Sequence, residues 1–156
     1  MHKKTRFLVL IVFIMTAFVL FGRNTTYKDV PLSEIETKVM TKADSSKFKK
    51  ADSKSLKRYI GLNEKDYSEV VYLMPSSTME VSELLIVKVK NKAQADAIES
   101  AVNNRVETQE NSFKDYAPEQ YAVLQNSSVL IKGNYVFYVV SDNVEDMKNE
   151  FLDTIK

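Results

Sequence analysis

The stretch SSVLIKGNYVFYVVSD, Ser127 to Asp142, spells out a β-hairpin. Val129 to Lys132 and Tyr135 to Val140 are rich in β-branched and aromatic residues, and Gly133-Asn134 supplies the two-residue loop of a primed turn with positive φ. Alternation puts Tyr135, Phe137 and Val139 on one face and Val136, Tyr138 and Val140 on the other. These rings are therefore read as cover for a sheet rather than as a sugar-binding platform.

Working outward, YSEVVYLM from Tyr67 reads as a strand, Pro75-Ser76-Ser77 as its turn, and SELLIVKVK from Ser82 as a second strand. In that second strand Leu85, Val87 and Val89 share a core face, while Leu84, Ile86, Lys88 and Lys90 share one expected to be half wet. Each hairpin leads into a helix. Asn91 with Gln94 caps a long one whose buried side is Ile98, Ala101, Val102, Val106 and Phe113. Asp142 with Glu145 opens a C-terminal one with Val144, Met147, Phe151 and Ile155 inward. The pattern predicts an α+β fold: a four-stranded, mainly antiparallel sheet with helices on one face, and a possible ββα-ββα pseudo-repeat.

Between the long helix and the second hairpin lies SFKDYAPEQY, Ser112 to Tyr121. Phe113 continues the buried stripe, and Pro118 suits the first turn of a new short helix, PEQYAVL. The segment reads as a joint between elements. Tyr116, outside both apolar stripes, is the one ring left to face a partner.

Before the sheet, Ser33 and Glu36 have capping-box spacing for a helix carrying Ile35, Val39 and Met40. A second short helix runs from about Ser53 to Ile60, with Leu56, Tyr59 and Ile60 on one face and Gly61 as its stop. The charge divides unevenly. Residues 24–58 carry nine Lys and Arg against five Asp and Glu, whereas residues 59–156 carry nine against sixteen. A basic helical stalk over 24–58 and an acidic α+β domain over 59–156 are expected. The densest cations, Lys47, Lys49, Lys50, Lys54, Lys57 and Arg58, together with Tyr116, form the candidate interaction surface, suited to anionic headgroups or wall polymers.

At the start, MHKKTR precedes FLVLIVFIMTAFVLF, fifteen residues broken only by Thr16. A signal peptide should end in small residues, but Phe18 to Phe21 follow Ala17. Residues 1–23 therefore read as a cytoplasmic tip and an uncleaved single-span anchor over residues 7–22. Its fifteen-residue run rises only about 22 Å as a helix, so snorkelling Lys4, Arg6 and Arg23 must help span about 30 Å of hydrocarbon. Lys3, Lys4 and Arg6 keep the N-terminus inside and send the domain outside the cell membrane.

The chemistry available to the domain is narrow. There is no cysteine, and His2, the single histidine, precedes the anchor, which removes thiol and histidine nucleophile systems and His-built or Cys-built metal centres. Three glycines and no Gly-rich loop leave no phosphate cradle, so no cofactor is expected. An acidic domain opposes nucleic-acid binding. Remaining enzyme chemistry would need carboxylates, from Glu80 and Glu83 or from Asp142, Glu145 and Asp146, as a hydrolase or a calcium site. Favourable charge at a helix N-terminus explains the second set more simply.

YIGL at 59–62, SSTMEVSELLIVKVK at 76–90 and above all RVETQENSFKDYAPEQYAVLQNSSVLIKGNYVFYVVSD at 105–142 resemble a bacterial family known only as a domain of unknown function. The resemblance implies an extracytoplasmic domain of Gram-positive membrane-anchored proteins and lipoproteins, with no assigned reaction or ligand. This chain lacks the lipoprotein cysteine, so its anchor would be proteinaceous. The expected function is non-catalytic binding of an envelope protein or wall polymer.

Overall fold

The computed structural model describes residues 26–156; the anchor expected at 7–22 lies outside the described residues. Among the described residues no helix is long and apolar enough to cross a membrane. The α+β class stands: among the described residues there are five antiparallel strands in one sheet with five α-helices around it. The strands are β1 (Phe48–Lys50), β2 (Glu69–Pro75), β3 (Glu83–Lys88), β4 (Ser128–Lys132) and β5 (Tyr135–Val140), in the order β1-β2-β3-β5-β4. The helices are α1 (Leu32–Met40), α2 (Ser53–Tyr59), α3 (Lys92–Phe113), α4 (Pro118–Gln125) and α5 (Val144–Ile155).

Helices cover both faces of the sheet, not one. Against Val71, Leu73, Leu84, Ile86, Tyr135, Phe137 and Val139 pack α1, through Leu32, Ile35 and Val39, and α5, through Met147, Phe151 and Ile155. Against Tyr72, Leu85, Val87, Val136, Tyr138 and Val140 pack α2 through Leu56, α3 through Ala95, Ile98 and Val102, and α4 through Leu124. The half-wet face expected for β3 is therefore buried, and every residue of β3 and β5 is inside. Lys88 tolerates this because its ammonium reaches Glu69 at 2.7 Å and Asp29 at 2.9 Å at the sheet's end.

The two-face arrangement also rules out the symmetric pseudo-repeat. The antiparallel β3-β5 pair has its local two-fold perpendicular to the sheet, which would send two equivalent helices to the same face. Instead α3 and α5 lie on opposite faces. The hairpins are alike; their helices are not.

The expected stalk is a correction too. Val30, Leu32, Ile35, Val39 and Phe48 enter one core and Leu56 the other, and β1 adds the fifth strand by pairing with β2. Residues 26–58 are thus built into the sheet domain rather than set apart from it. The chain just before α1 is pinned: Val30 N–H donates to the Tyr135 hydroxyl at 2.7 Å, and Lys28 N–H to the Ile155 carbonyl at 2.8 Å.

Local signals were mixed in outcome. Asn91 accepts from Gln94 N–H at 3.0 Å, and the Gln94 side chain turns back to Lys90 N–H at 2.8 Å. The box at Ser33 fails, because α1 starts two residues earlier, with Pro31 in the cap position and no side-chain cap. Asn143, not Asp142, precedes α5, and Asp142 is drawn away to Lys47. The hairpin turn puts only Gly133 at positive φ, 58°, where a Cβ would stand 3.0 Å from the Tyr27 ring.

Candidate functional site

The site is built from the parity of β3. Glu83 has the same phase as Leu85 and Val87, so the strand that buries those residues carries a carboxylate onto the α2-α3 face at 1% exposure. Leu85 pairs with Tyr72 on one side and Tyr138 on the other. The two phenols thus flank Leu85 and lean diagonally along the sheet to Glu83, two residues away. Tyr72 donates to Oε1, and Tyr138 to Oε2 at 3.1 Å.

The counter-charge comes from α3. Arg105 follows Ile98 and Val102 on the helix's sheet-facing stripe, and its Nε donates to both Glu83 oxygens, at 3.3 and 3.2 Å. The side chains of the pair are 12% and 1% exposed. Burial works against the guanidinium's charge, but the adjacent Glu83 carboxylate outweighs it and holds Arg105 above its ordinary value. Burial, reinforced by Glu83, pushes the Tyr72 and Tyr138 hydroxyls far above the usual phenol range. Both remain neutral donors at physiological pH.

Tyr59 stands over this network. Helical spacing placed it with Leu56 and Ile60, yet it is 36% exposed and lies across Arg105, whose Cζ is 5.2 Å from the ring centroid. Tyr59 and Arg105 form the wall shared by two clefts. One, about 600 Å³, is lined also by Arg58, Asn104 and Thr108. The other, about 250 Å³, is lined also by Lys49, Met74, Ser77, Glu80, Gln109 and Phe113.

The residues singled out in the sequence are dispersed around this centre. Lys49 and Lys50 on β1, and Lys54, Lys57 and Arg58 on α2, are exposed on consecutive elements; Lys49 and Arg58 line the clefts. Lys47 does not line either cleft and is paired with Asp142. Tyr116 is 57% exposed after α3 and stacks on Phe113 at 5.4 Å. The joint reading of SFKDYAPEQY describes what is seen, with Phe113 ending α3 and Pro118 starting α4.

The carboxylates considered for hydrolysis or calcium do not converge. Glu83 is held by Arg105, Asp142 by Lys47 and Glu145 by Lys148, while Glu80 accepts from Val81 N–H, Ser82 N–H and the Ser82 hydroxyl. Among the described residues no group of three or more His, Cys, Asp or Glu side chains is placed to hold a metal ion.

Sequence reading missed Glu83, Arg105 and Tyr72 as a unit. The available signal was a carboxylate in phase with Leu85 and Val87, and an arginine in phase with Ile98 and Val102: buried stripes with one charge each, of opposite sign.

Residues 41–141 match a family described as Domain of unknown function (DUF4358). The chain belongs to this family. The DUF4358 match takes in all five strands, α2 to α4, Tyr59, Glu83 and Arg105. It leaves out α1 and α5, the two helices covering the opposite face. The DUF4358 region is thus the sheet with the helical layer that carries the clefts. No curated protein and no solved structure matches the chain.

Proposed function

We propose that this DUF4358 protein is a non-catalytic binding module of a bacterial cell envelope, and that it binds its partner at the clefts around Arg105. The observation that carries the reading is the state of Arg105: a largely buried guanidinium neutralised from behind by Glu83, at the wall common to two clefts. Convergent polar groups beside aromatic walls are the usual make-up of a ligand seat. The shortage of proton-carrying groups, with no cysteine and only His2, supports binding over catalysis.

Residues 7–22 supply the expected anchor, with Lys3, Lys4 and Arg6 holding the N-terminus in the cytoplasm. The chain is already fixed to the domain by Lys28, so the domain would stay close to the outer face of the membrane, in reach of an envelope protein or wall polymer.

The test is photo-crosslinking in intact cells with the full chain. A crosslinker at Thr108, on the cleft, should capture a defined envelope component, while one at Asp153 on α5, across the sheet, should not. Equal capture from both positions, or turnover of a wall polymer by the purified chain, would overturn the proposal.

A further inference from the structure

Arg105 raises a question of hydrogen-bond accounting. A guanidinium carries five N–H donors, one on Nε and four on the terminal nitrogens. Among the described residues every hydrogen bond of Arg105 comes from Nε, and all go to Glu83. Yet no buried side-chain nitrogen or oxygen among the described residues lacks a partner. The terminal nitrogens, unpartnered by protein, must therefore be open to solvent, and the openings beside Arg105 are the two clefts. Glu83 fixes the inner edge of the fork; its outer edge is a planar pair of donors.

We infer that the clefts form one seat for an oxyanion, a carboxylate or phosphate group, which pairs with the outer edge of Arg105 while the rest of the ligand lies against Tyr59 and Phe113. This rests on the binding role proposed above and names its ligand class. A planar guanidinium edge matches two oxygens of such a group, and the low exposure of the site strengthens the pairing. The neighbouring charges agree. Lys49 and Arg58 line the clefts with no ion-pair partner among the described residues. The single acidic liner, Glu80, is engaged by Val81 and Ser82. The two tyrosines on Glu83 serve the seat indirectly: by sharing the carboxylate they hold it, and hence Arg105, in one orientation.

The experiment is an NMR titration of the isotopically labelled full chain in zwitterionic micelles, with sodium phosphate, sodium acetate and, at matched ionic strength, sodium chloride. One or both oxyanions should give saturable shifts at the Arg105 Nε–H and the amides of Tyr59, Gln109 and Phe113, with a Kd on the order of 10 mM for such small probes. Chloride should not saturate. Tighter binding of phosphate assigns a phosphate-bearing ligand, and tighter binding of acetate a carboxylate-bearing one. Lys49→Gln, which leaves the Glu83-Arg105 pair intact, should weaken the oxyanion roughly threefold. Arg105→Lys, with its fold checked in the same spectra, should weaken it roughly tenfold. No saturable shift with either oxyanion, or shifts centred on another surface, would overturn the inference. Crosslinking at Thr108 without oxyanion binding would sink the oxyanion seat alone; oxyanion binding without crosslinking would sink the envelope-binding reading alone.

Discussion

Glu83 and Arg105, 22 positions apart in the sequence, meet between sheet and helix with Nε 3.2 Å from a carboxylate oxygen, and a tyrosine on each neighbouring strand completes the cage. Removing one member leaves the other charged and buried. Arg105→Ala should cost about 3–5 kcal/mol in denaturant unfolding, whereas the double change Glu83→Leu with Arg105→Met should be much closer to neutral. A double variant as unstable as Arg105→Ala would show that shape, not charge, dominates at this position.

The phenols test the same cage from the sheet side. Tyr72→Phe and Tyr138→Phe should each cost about 1.5–3 kcal/mol, the range for a hydrogen bond to a charged group. The hydroxyls titrate far above 10.0 in the folded protein, so the unfolded chain loses these protons first. Their contribution is full below pH 10.0 and declines as pH rises beyond it. Ultraviolet titration should show Tyr72 and Tyr138 ionising only with unfolding, with one such tyrosine fewer in each variant.

At the other end of the sheet the pH dependence has the opposite sense. The Lys88 ammonium, at 2.7 Å, and Leu32 N–H, at 3.0 Å, hold the Glu69 carboxyl below its ordinary 4.5. The unfolded state therefore takes up a proton at higher pH than the folded state does. Stability from this group is complete above 4.5 and is lost as pH falls through the lower folded-state value. Thermal midpoints followed from about pH 6 to about pH 3 should fall less steeply for Glu69→Gln than for the parent.

One hydroxyl makes two of the ties that dock residues 26–31. Tyr135 accepts from Val30 N–H and donates to the Lys28 carbonyl at 3.0 Å. Tyr135→Phe should cost about 1 kcal/mol or more and, more tellingly, speed hydrogen exchange at Val30 and proteolysis before Leu32. Unchanged exchange at Val30 would show that packing, the Lys28-Ile155 bond and the Asp29-Lys88 pair hold this segment without the hydroxyl.

Gly133 gives a backbone test. Its φ of 58° is left-handed, and a Cβ there would stand 3.0 Å from the Tyr27 ring, which would have to give way. Gly133→Ala should destabilise by about 1–2 kcal/mol, measured by denaturant unfolding, through left-handed strain and displacement of Tyr27.

The amino-acid sequence by itself determined the local elements: both hairpins, the Asn91 cap, the long helix ending at Phe113, the break at Pro118 and the α+β class. These follow from periodicity and turn chemistry, which act over a few neighbouring residues. Parity assigns a residue to one side of a strand or helix but says nothing of what covers that side. Lys88 looked wet for that reason, and β1, three residues long and mostly polar, carried no strand signal. Tertiary structure alone decided the order β1-β2-β3-β5-β4, the placing of α3 and α5 on opposite faces, and the meeting of Glu83 with Arg105. Covering both faces of β3 and β5 forced those choices. Once the sheet was closed on both sides, the one carboxylate on its inner stripe needed the one cation on the sheet-facing stripe of the helix above it.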